Sequence, residues 1–477
     1  MLCRRSAGRD VRSPRNFSAI PRGVMAEKTD LCYTCIRNRT ARPGEGVPFP
    51  LRKRRKVGRR MDLKNIRIGM FGTLRGAGYI KLFNSLEGCR VTAVCEKNPR
   101  SLENAKKFMA EDTAVFDDFD AFIDSGLFDA VMLCNYFYEH APFAVKAMER
   151  GIHVLSECTP ALTLAECVQL VRTAERTGCK YMLAENYPYF ACNMEMRRRF
   201  ATGNFGRPLY CEGEYNHPVT AHDKNMLSPG ELHWRNWLPR PYYLTHALAP
   251  IMSITGNTPA AVNCKCVFAP ETLKGTACQV GDLAAIMLIE MNDGSLARVT
   301  GCAAWGGHGN WYRICGEKGS MENVRGDLGR VRVQYNGWNV PEGEEEVRTI
   351  DAKWYEDDAL NRLAEDAGHA GGDYWVAYHF AKVLLGEEEP MFDIYRAVSM
   401  SATAVLALRS SQNGGREYRI PDFRREEDRV QVENDTASPF PDAEGKTTMP
   451  CCSHSGYHPS AEDIENAERE WKEANLI

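Results

Sequence analysis

The stretch Ile66-Arg67-Ile68-Gly69-Met70-Phe71, continued by Gly72-Thr73-Leu74-Arg75-Gly76-Ala77-Gly78, decides the fold of this chain. A short apolar strand enters a glycine-rich turn. Tyr79 to Leu86 then reads as a helix, and Arg90-Val91-Thr92-Ala93-Val94-Cys95 as a second strand that ends in Glu96. This is the layout of a dinucleotide site. Glycines let the backbone approach a pyrophosphate, the helix start offers unpaired N–H groups and a positive dipole end, and an acid about 20 residues on accepts ribose hydroxyls. Gly72 and Ala77 hold the first and last positions of the glycine fingerprint, while Leu74 stands at the middle one. Arg75 and Gly76 add a phosphate donor and a hinge. Glu96 favours NAD over NADP, because a carboxylate repels a 2′-phosphate, with Lys97 and Arg100 nearby softening that preference.

Working outward, helices and strands keep alternating. Arg100–Met109 and Phe119–Ser125 read as helices around a short strand at Val115, followed by the strand Asp129–Cys134. His140–Arg150 forms a helix stopped by Gly151, and Ile152–Glu157 is a strand. A helix over Leu164–Thr177 then leads to the strand Lys180–Glu185. The pattern predicts an α/β fold whose N-terminal domain is a doubly wound parallel Rossmann sheet. In such sheets ligands gather at the carboxyl ends of strands, so Gly72, Glu96, Asn135, Glu157 and Asn186 converge on one crevice.

A length of 477 residues, 44% of them hydrophobic and 26% charged, predicts a globular protein of two main domains. No run of about 18 apolar residues predicts a membrane span. The 18 scattered cysteines fit reduced thiols in a cytoplasmic enzyme, and Cys32-x-x-Cys35 and Cys264-x-Cys266 lack the second ligand pair of a zinc site. Charge is concentrated at the start. Residues 1–60 hold 17 Lys and Arg against 4 Asp and Glu, and the rest 43 against 59. That segment reads as a disordered basic extension, with translation expected to start at Met61; a nuclear or nucleic-acid patch and a transit peptide are the other readings. Expected domains are residues 1–60, 61–185 for NAD binding, 186–424 for substrate, and 425–477 as an acidic linker with a helix at Ala461–Ala474.

In the second part, Tyr243-Leu244-Thr245-His246 precedes an apolar segment from Ala247 to Ile254 that reads as a helix. Tyr243 and His246, three positions apart, would leave one face toward the crevice. An imidazole and a phenol suit proton transfer at a hydroxyl while hydride departs to a nicotinamide. His217, His222 and His233 lack a close carboxylate pattern, so they read as substrate-lining or surface residues and no metal is expected. Trp234, Trp237 and Tyr242 suit either sugar stacking or the core. Leu283–Met291, Leu296–Cys302 and Tyr312–Gly316 read as strands of an open sheet, with Gly306-Gly307-His308-Gly309 at its rim, and Tyr374–Leu385 and Tyr395–Ser411 as helices.

The glycine turn, Glu96, Asp129-Ala130-Val131, His140 and Gly151-Ile152-His153-Val154-Leu155-Ser156-Glu157 resemble the glucose-fructose oxidoreductase, inositol dehydrogenase and MocA family over nearly all of residues 66–424. The resemblance implies a Rossmann domain followed by an α/β domain with a large, open, mostly antiparallel sheet. It further implies a sugar or polyol substrate, NAD as cofactor, a homo-oligomer, and no nucleic-acid or membrane partner. Its implied cofactor residues are Gly72, Thr73, Leu74, Arg75, Gly76, Glu96, Asn135, His140, Glu157 and Asn186. The family's Glu-Lys-Pro is Glu157-Cys158-Thr159-Pro160 here, without the lysine that aids proton transfer in dehydrogenases, and the aspartate usual four positions before the pocket histidine is Tyr242.

Ser156-Glu157, Glu185-Asn186-Tyr187-Pro188-Tyr189, His233-Trp234-Arg235, the Tyr243 and His246 pair, and Gly368-His369-Ala370-Gly371-Gly372-Asp373 resemble one branch, the NAD-dependent α-N-acetylgalactosaminidases. In that branch hydride removal at one sugar carbon acidifies its neighbour, a base takes that proton, and the leaving group is eliminated. Carried over by position, Tyr189, Tyr243 and His246 form the catalytic set. Three functions follow as expectations: net oxidation of a sugar or polyol by hydride transfer, redox-neutral glycoside cleavage, and, from another class, a non-catalytic sugar or nucleotide sensor.

Overall fold

The chain is described by a computed structural model, which covers residues 65–354, 357–442 and 444–477. The expected disorder of residues 1–60, the start at Met61 and the Cys32/Cys35 pair lie outside these residues. Six strands, β1 (Ile66–Phe71), β2 (Cys89–Cys95), β3 (Ala114–Phe116), β4 (Ala130–Leu133), β5 (His153–Ser156) and β6 (Tyr181–Leu183), pair in parallel in the order β3-β2-β1-β4-β5-β6. The order reverses between β1 and β4, which opens a crevice at their carboxyl ends.

Helices α1 (Thr73–Ser85), α2 (Pro99–Lys106), α3 (Phe119–Asp124), α4 (His140–Glu149) and α5 (Leu164–Thr177) connect the strands. Local chemistry fixes their ends. Asn98 caps α2 and Asp118 caps α3; Thr163 and Glu166 form a capping box on α5, and Gly178 closes it in the left-handed conformation.

The expected turn over Gly72–Gly78 is shorter than its glycines suggest, because α1 starts at Thr73 and only Gly72 turns the chain. Gly72 has φ of 86°, and a Cβ there would lie 2.7 Å from the Cys134 carbonyl oxygen. Gly76 is no hinge. It lies within α1, where a Cβ would come 2.6 Å from Met70 Sδ, so it is the residue that lets the helix pack closely on β1.

The second sheet has nine strands. These are β7 (Pro208–Asn216), β8 (Pro259–Phe268), β9 (Asp282–Met291), β10 (Leu296–Ala303), β11 (Gly309–Gly316), β12 (Gly319–Asn323), β13 (Arg330–Tyr335), β14 (Val347–Asp351) and β15 (Tyr418–Arg419). Their order is β14-β13-β12-β11-β7-β10-β9-β8-β15, antiparallel except between β7 and β10. The remaining helices are α6 (Ala191–Phe200), α7 (Ala221–Leu227), α8 (Trp234–Trp237), α9 (Thr245–Thr255), α10 (Asp358–Glu365), α11 (Gly372–Leu385), α12 (Ile394–Gln412), α13 (Glu426–Arg429) and α14 (Ala461–Glu473). The long α12 packs against both β6 and β8, its small residues Ser401, Ala402, Thr403 and Ala404 wholly or almost wholly buried. The C-terminal helix docks on its own chain: Trp471 is buried and its Nε1 donates to the Asn225 carbonyl of α7. Among the described residues no helix is long and apolar enough to cross a membrane.

The fold positions the later site chiefly through α9, which lies on β7 at Gly213. A Cβ on Gly213 would fall 2.0 Å from the Ala247 carbonyl oxygen, a backbone atom that cannot swing aside. Gly213→Ala is therefore expected to lift α9 and to destabilise the protein by about 2–3 kcal/mol, read as a lower denaturant midpoint together with loss of turnover.

Candidate active site

The carboxyl ends of β1, β2, β4, β5 and β6 carry the expected cofactor residues. Glu96 follows β2, and its Oε2 accepts from the Thr73 backbone N–H (2.7 Å) and Oγ1 (2.9 Å), while Oε1 accepts from the Asn98 N–H. The acid is thereby fixed at the start of α1, beside the first-turn N–H groups that a helix leaves without internal partners. Leu74, on that turn, is 84% exposed. Asn135 and Asn186 each keep a buried Oδ1 with no partner among the described residues, at the ends of β4 and β6. His140 is buried at the start of α4 with Nδ1 2.8 Å from the Thr159 carbonyl, and burial pulls its pKa down, which keeps it neutral.

Arg75 departs from its expected role. Its Nε donates to Glu157 (2.8 Å) and its two terminal nitrogens donate to both oxygens of Asp373 (2.8 Å each), so the guanidinium ties α1 to the ends of β5 and α11. Asp373, at the start of α11, also accepts from Tyr79 Oη, Asn186 Nδ2 and His369 Nδ1. Burial pushes the Asp373 carboxyl up, yet hydrogen bonds from Arg75 and His369 outweigh it and hold the group ionised far below the usual range. The Gly72 cradle, the Glu96 carboxylate and the open Asn135 and Asn186 oxygens fit a nicotinamide dinucleotide.

The second half of the site surrounds His246, in the first turn of α9. Its Nδ1 lies 2.8 Å from Oε1 of Glu185, a carboxylate with no exposed surface. The other Glu185 oxygen accepts from the Cys158 thiol (3.0 Å), which burial and Glu185 keep protonated. Burial pushes the Glu185 carboxyl up, but the charge and hydrogen bond of His246, with bonds from Cys158 and Thr245, bring it below its ordinary value. Three tyrosines enclose the imidazole: Tyr187 stacks on it at 4.1 Å, Tyr243 meets it edge-on at 4.9 Å and Tyr215 at 5.0 Å. Behind it, Tyr312 Oη donates to the His246 carbonyl. Tyr243 sits in a 3₁₀ turn, Arg240–Tyr243, just before α9, so the expected pair does meet.

The two halves share strand ends. Glu157 and Asn186 face the cradle network, while their chain neighbours Cys158 and Glu185 face His246.

Tyr189 does not join this cluster. The 3₁₀ turn Tyr187–Tyr189 sends the two rings apart: Tyr189 is buried against α11, stacked on His379 at 5.1 Å. The tyrosine at the histidine is Tyr187, whose phenol burial pushes well above its usual pKa. Tyr187→Phe is expected to lower turnover by about tenfold and Tyr189→Phe by less than about twofold, compared as kcat at saturating NAD. Glu185 went unassigned in the sequence because its partner lies 61 positions away; the Glu185-Asn186-Tyr187 run was its one signal.

The other histidines separate. His217 packs on His308, His222 lies 3.3 Å from Glu470 of α14, and His233 caps α8, where burial, Arg235 and Lys224 lower its pKa to about 4. Trp234 stacks on Phe137 at 5.0 Å, and Tyr242 is core, its hydroxyl bonded to the Leu162 carbonyl.

Residues 66–185 match the oxidoreductase family with an NAD-binding Rossmann fold, the Gfo/Idh/MocA family. Residues 311–428 match the glycosyl hydrolase 109 C-terminal domain, so the chain joins these two domains. Curated relatives include glycosyl hydrolase family 109 protein 1 of Bacteroides thetaiotaomicron, 25% identical over 406 residues, covering 76% of this chain and 85% of the relative. A family 109 protein of Porphyromonas gingivalis is 24% identical with the same coverage. Among solved structures, a levoglucosan dehydrogenase in complex with NADH and levoglucosan has a TM-score of 0.63 at 17% identity, over 75% of this chain and all of that one. An inositol dehydrogenase homologue of Azotobacter vinelandii, complexed with NADH and myo-inositol, has a TM-score of 0.57 at 19% identity, over 75% of this chain and 98% of that one. These structures share its fold.

Proposed function

We propose that this protein is an NAD-dependent enzyme acting on a sugar, and that it cleaves a glycosidic bond without net redox change. The observation that carries the reading is the Glu185–His246 pair, a histidine held by a fully buried carboxylate one residue from Asn186, which bonds to Asp373. The family 109 relatives and the sugar or polyol ligands of the structural neighbours point to the same substrate class.

Gly72, Glu96, Asn135, Glu157 and Asn186 would hold NAD, which would supply a reversible hydride acceptor for a sugar hydroxyl carbon. The protein's residues handle the protons. Glu185 holds one imidazole nitrogen and fixes the ring, so that His246 exchanges a proton through its other nitrogen. Tyr243, perpendicular to that ring, is the second proton carrier. A carbonyl acidifies the adjacent C–H, so a histidine or tyrosine can remove that proton and the glycosidic oxygen leaves with its electron pair, protonated on departure. Water then adds to the resulting double bond and the adjacent carbon regains a proton, so the net reaction is hydrolysis. Glu157-Cys158-Thr159-Pro160 lacks the family lysine and the Cys158 thiol is committed to Glu185, so the hydroxyl proton falls to His246 and Tyr243.

The test is incubation of the protein with NAD and a panel of sugars, polyols and aryl glycosides, recording NADH and released aglycone together. Aglycone release that requires NAD without NADH accumulating supports the proposal. Stoichiometric NADH without aglycone favours the dehydrogenase reading, and silence in both channels favours the sensor.

A further inference from the structure

A cavity of about 540 Å³ lies where β7 ends and β11 begins, lined by Glu214, Asn216, His308, Asn310, Trp311 and Arg325 together with the Gly306–Gly309 loop. It borders the His246 cluster without containing it. The Asn310 side chain reaches the Tyr187 phenol, and the His308 ring packs at 4.6 Å on His217, itself 6.0 Å from Tyr215.

The cavity is built rather than incidental. Asn216 is 4% exposed; its Nδ2 donates to the carbonyls of Gly306 and Gly307, which pins the loop, and its Oδ1 is left buried without a partner among the described residues. Such an oxygen asks for a donor from outside the chain. On the same face of the sheet, where Trp311 of β11 pairs with Glu214 of β7, the Arg325 guanidinium lies 4.2 Å from the centroid of the Trp311 ring and donates to Glu214 Oε1 at 3.0 Å. Glu214 and Arg325 neutralise each other, so the wall does not select a net charge. Together they present planar acceptors and donors beside an indole, a set that matches neighbouring hydroxyls on a ring whose other face is C–H. The size is that of a small-molecule site.

We infer that this cavity is a second sugar subsite, holding the ring next to the one processed at His246, so that the substrate is an oligosaccharide or glycoconjugate and not a free monosaccharide. The inference rests on the sugar-cleaving reading above. The experiment uses the full chain with NAD, and compares methyl glycosides with di- and trisaccharides that end in the same sugar, with product quantified by chromatography. The readout is the ratio of kcat/KM for the longer substrate to that for the one-ring substrate. A ratio of at least tenfold, collapsing to near one in both Trp311→Ala and Arg325→Ala, supports the subsite. A ratio near one in the unsubstituted protein, or one that neither variant moves, overturns it while leaving the proposed function intact. Should no glycoside turn over, the proposed function fails, and ligand-observed NMR with the same trisaccharides decides the subsite: binding abolished by Trp311→Ala supports it, and no binding overturns it.

Discussion

His246→Ala is expected to lower kcat/KM by roughly a thousandfold, within the range of about 10²–10⁴ that positioned acid–base groups supply, while NAD binding stays unchanged. The separation follows from the layout. His246 projects from α9 into a ring of tyrosines, whereas the proposed cofactor cradle lies at Gly72, Glu96 and the ends of β4, β5 and β6. Glu185→Gln should lose more than about tenfold in turnover, because the imidazole keeps a hydrogen-bond partner of the same shape without its charge. Paired turnover assays and NAD titrations check both. A fall in NAD affinity matching the fall in turnover would mean that the histidine acts on cofactor binding instead.

Asp373→Ala should have the largest effect on stability, about 3 kcal/mol. Asp373 accepts from Arg75, Tyr79, Asn186 and His369, so its removal strips partners from the buried Tyr79 and Asn186, the half-buried Arg75 and the exposed His369 at once. Asp373→Asn gives the pH signature. The folded carboxyl lies below its unfolded value, so its stabilisation is complete above the unfolded pKa of about 3.9 and is lost as pH falls through the folded one. The unsubstituted protein should therefore lose stability more steeply than Asp373→Asn as the pH drops below about 4, measured by denaturant midpoints across that range.

Much of this was legible in the residues. The six parallel strands followed from short apolar runs between helices, and Glu96 and the Tyr243 and His246 pair from position and spacing. The start of α1 was not, because Leu74 breaks the fingerprint and the nearby glycines resemble turn residues; only the contact of Gly76 with Met70 explains why a glycine sits inside a helix. Arg75 looked like a phosphate donor because Asp373 is 298 positions away, and the choice between Tyr187 and Tyr189 depends on a 3₁₀ turn that spacing alone does not reveal. Long-range partners, rather than elements, are what the sequence conceals. The same holds for α14, whose docking on α7 rests on the Trp471 contact with Asn225.

The most direct test of redox-neutral cleavage is to run the NAD-loaded protein on a glycoside in deuterated water and examine the released sugar by mass spectrometry and NMR. The proton removed from the carbon next to the transient carbonyl is replaced from solvent, so one carbon-bound deuterium in the ring is predicted, with the requirement for NAD and for His246 intact. Released sugar with no carbon-bound deuterium, or release that proceeds without NAD, would contradict the account.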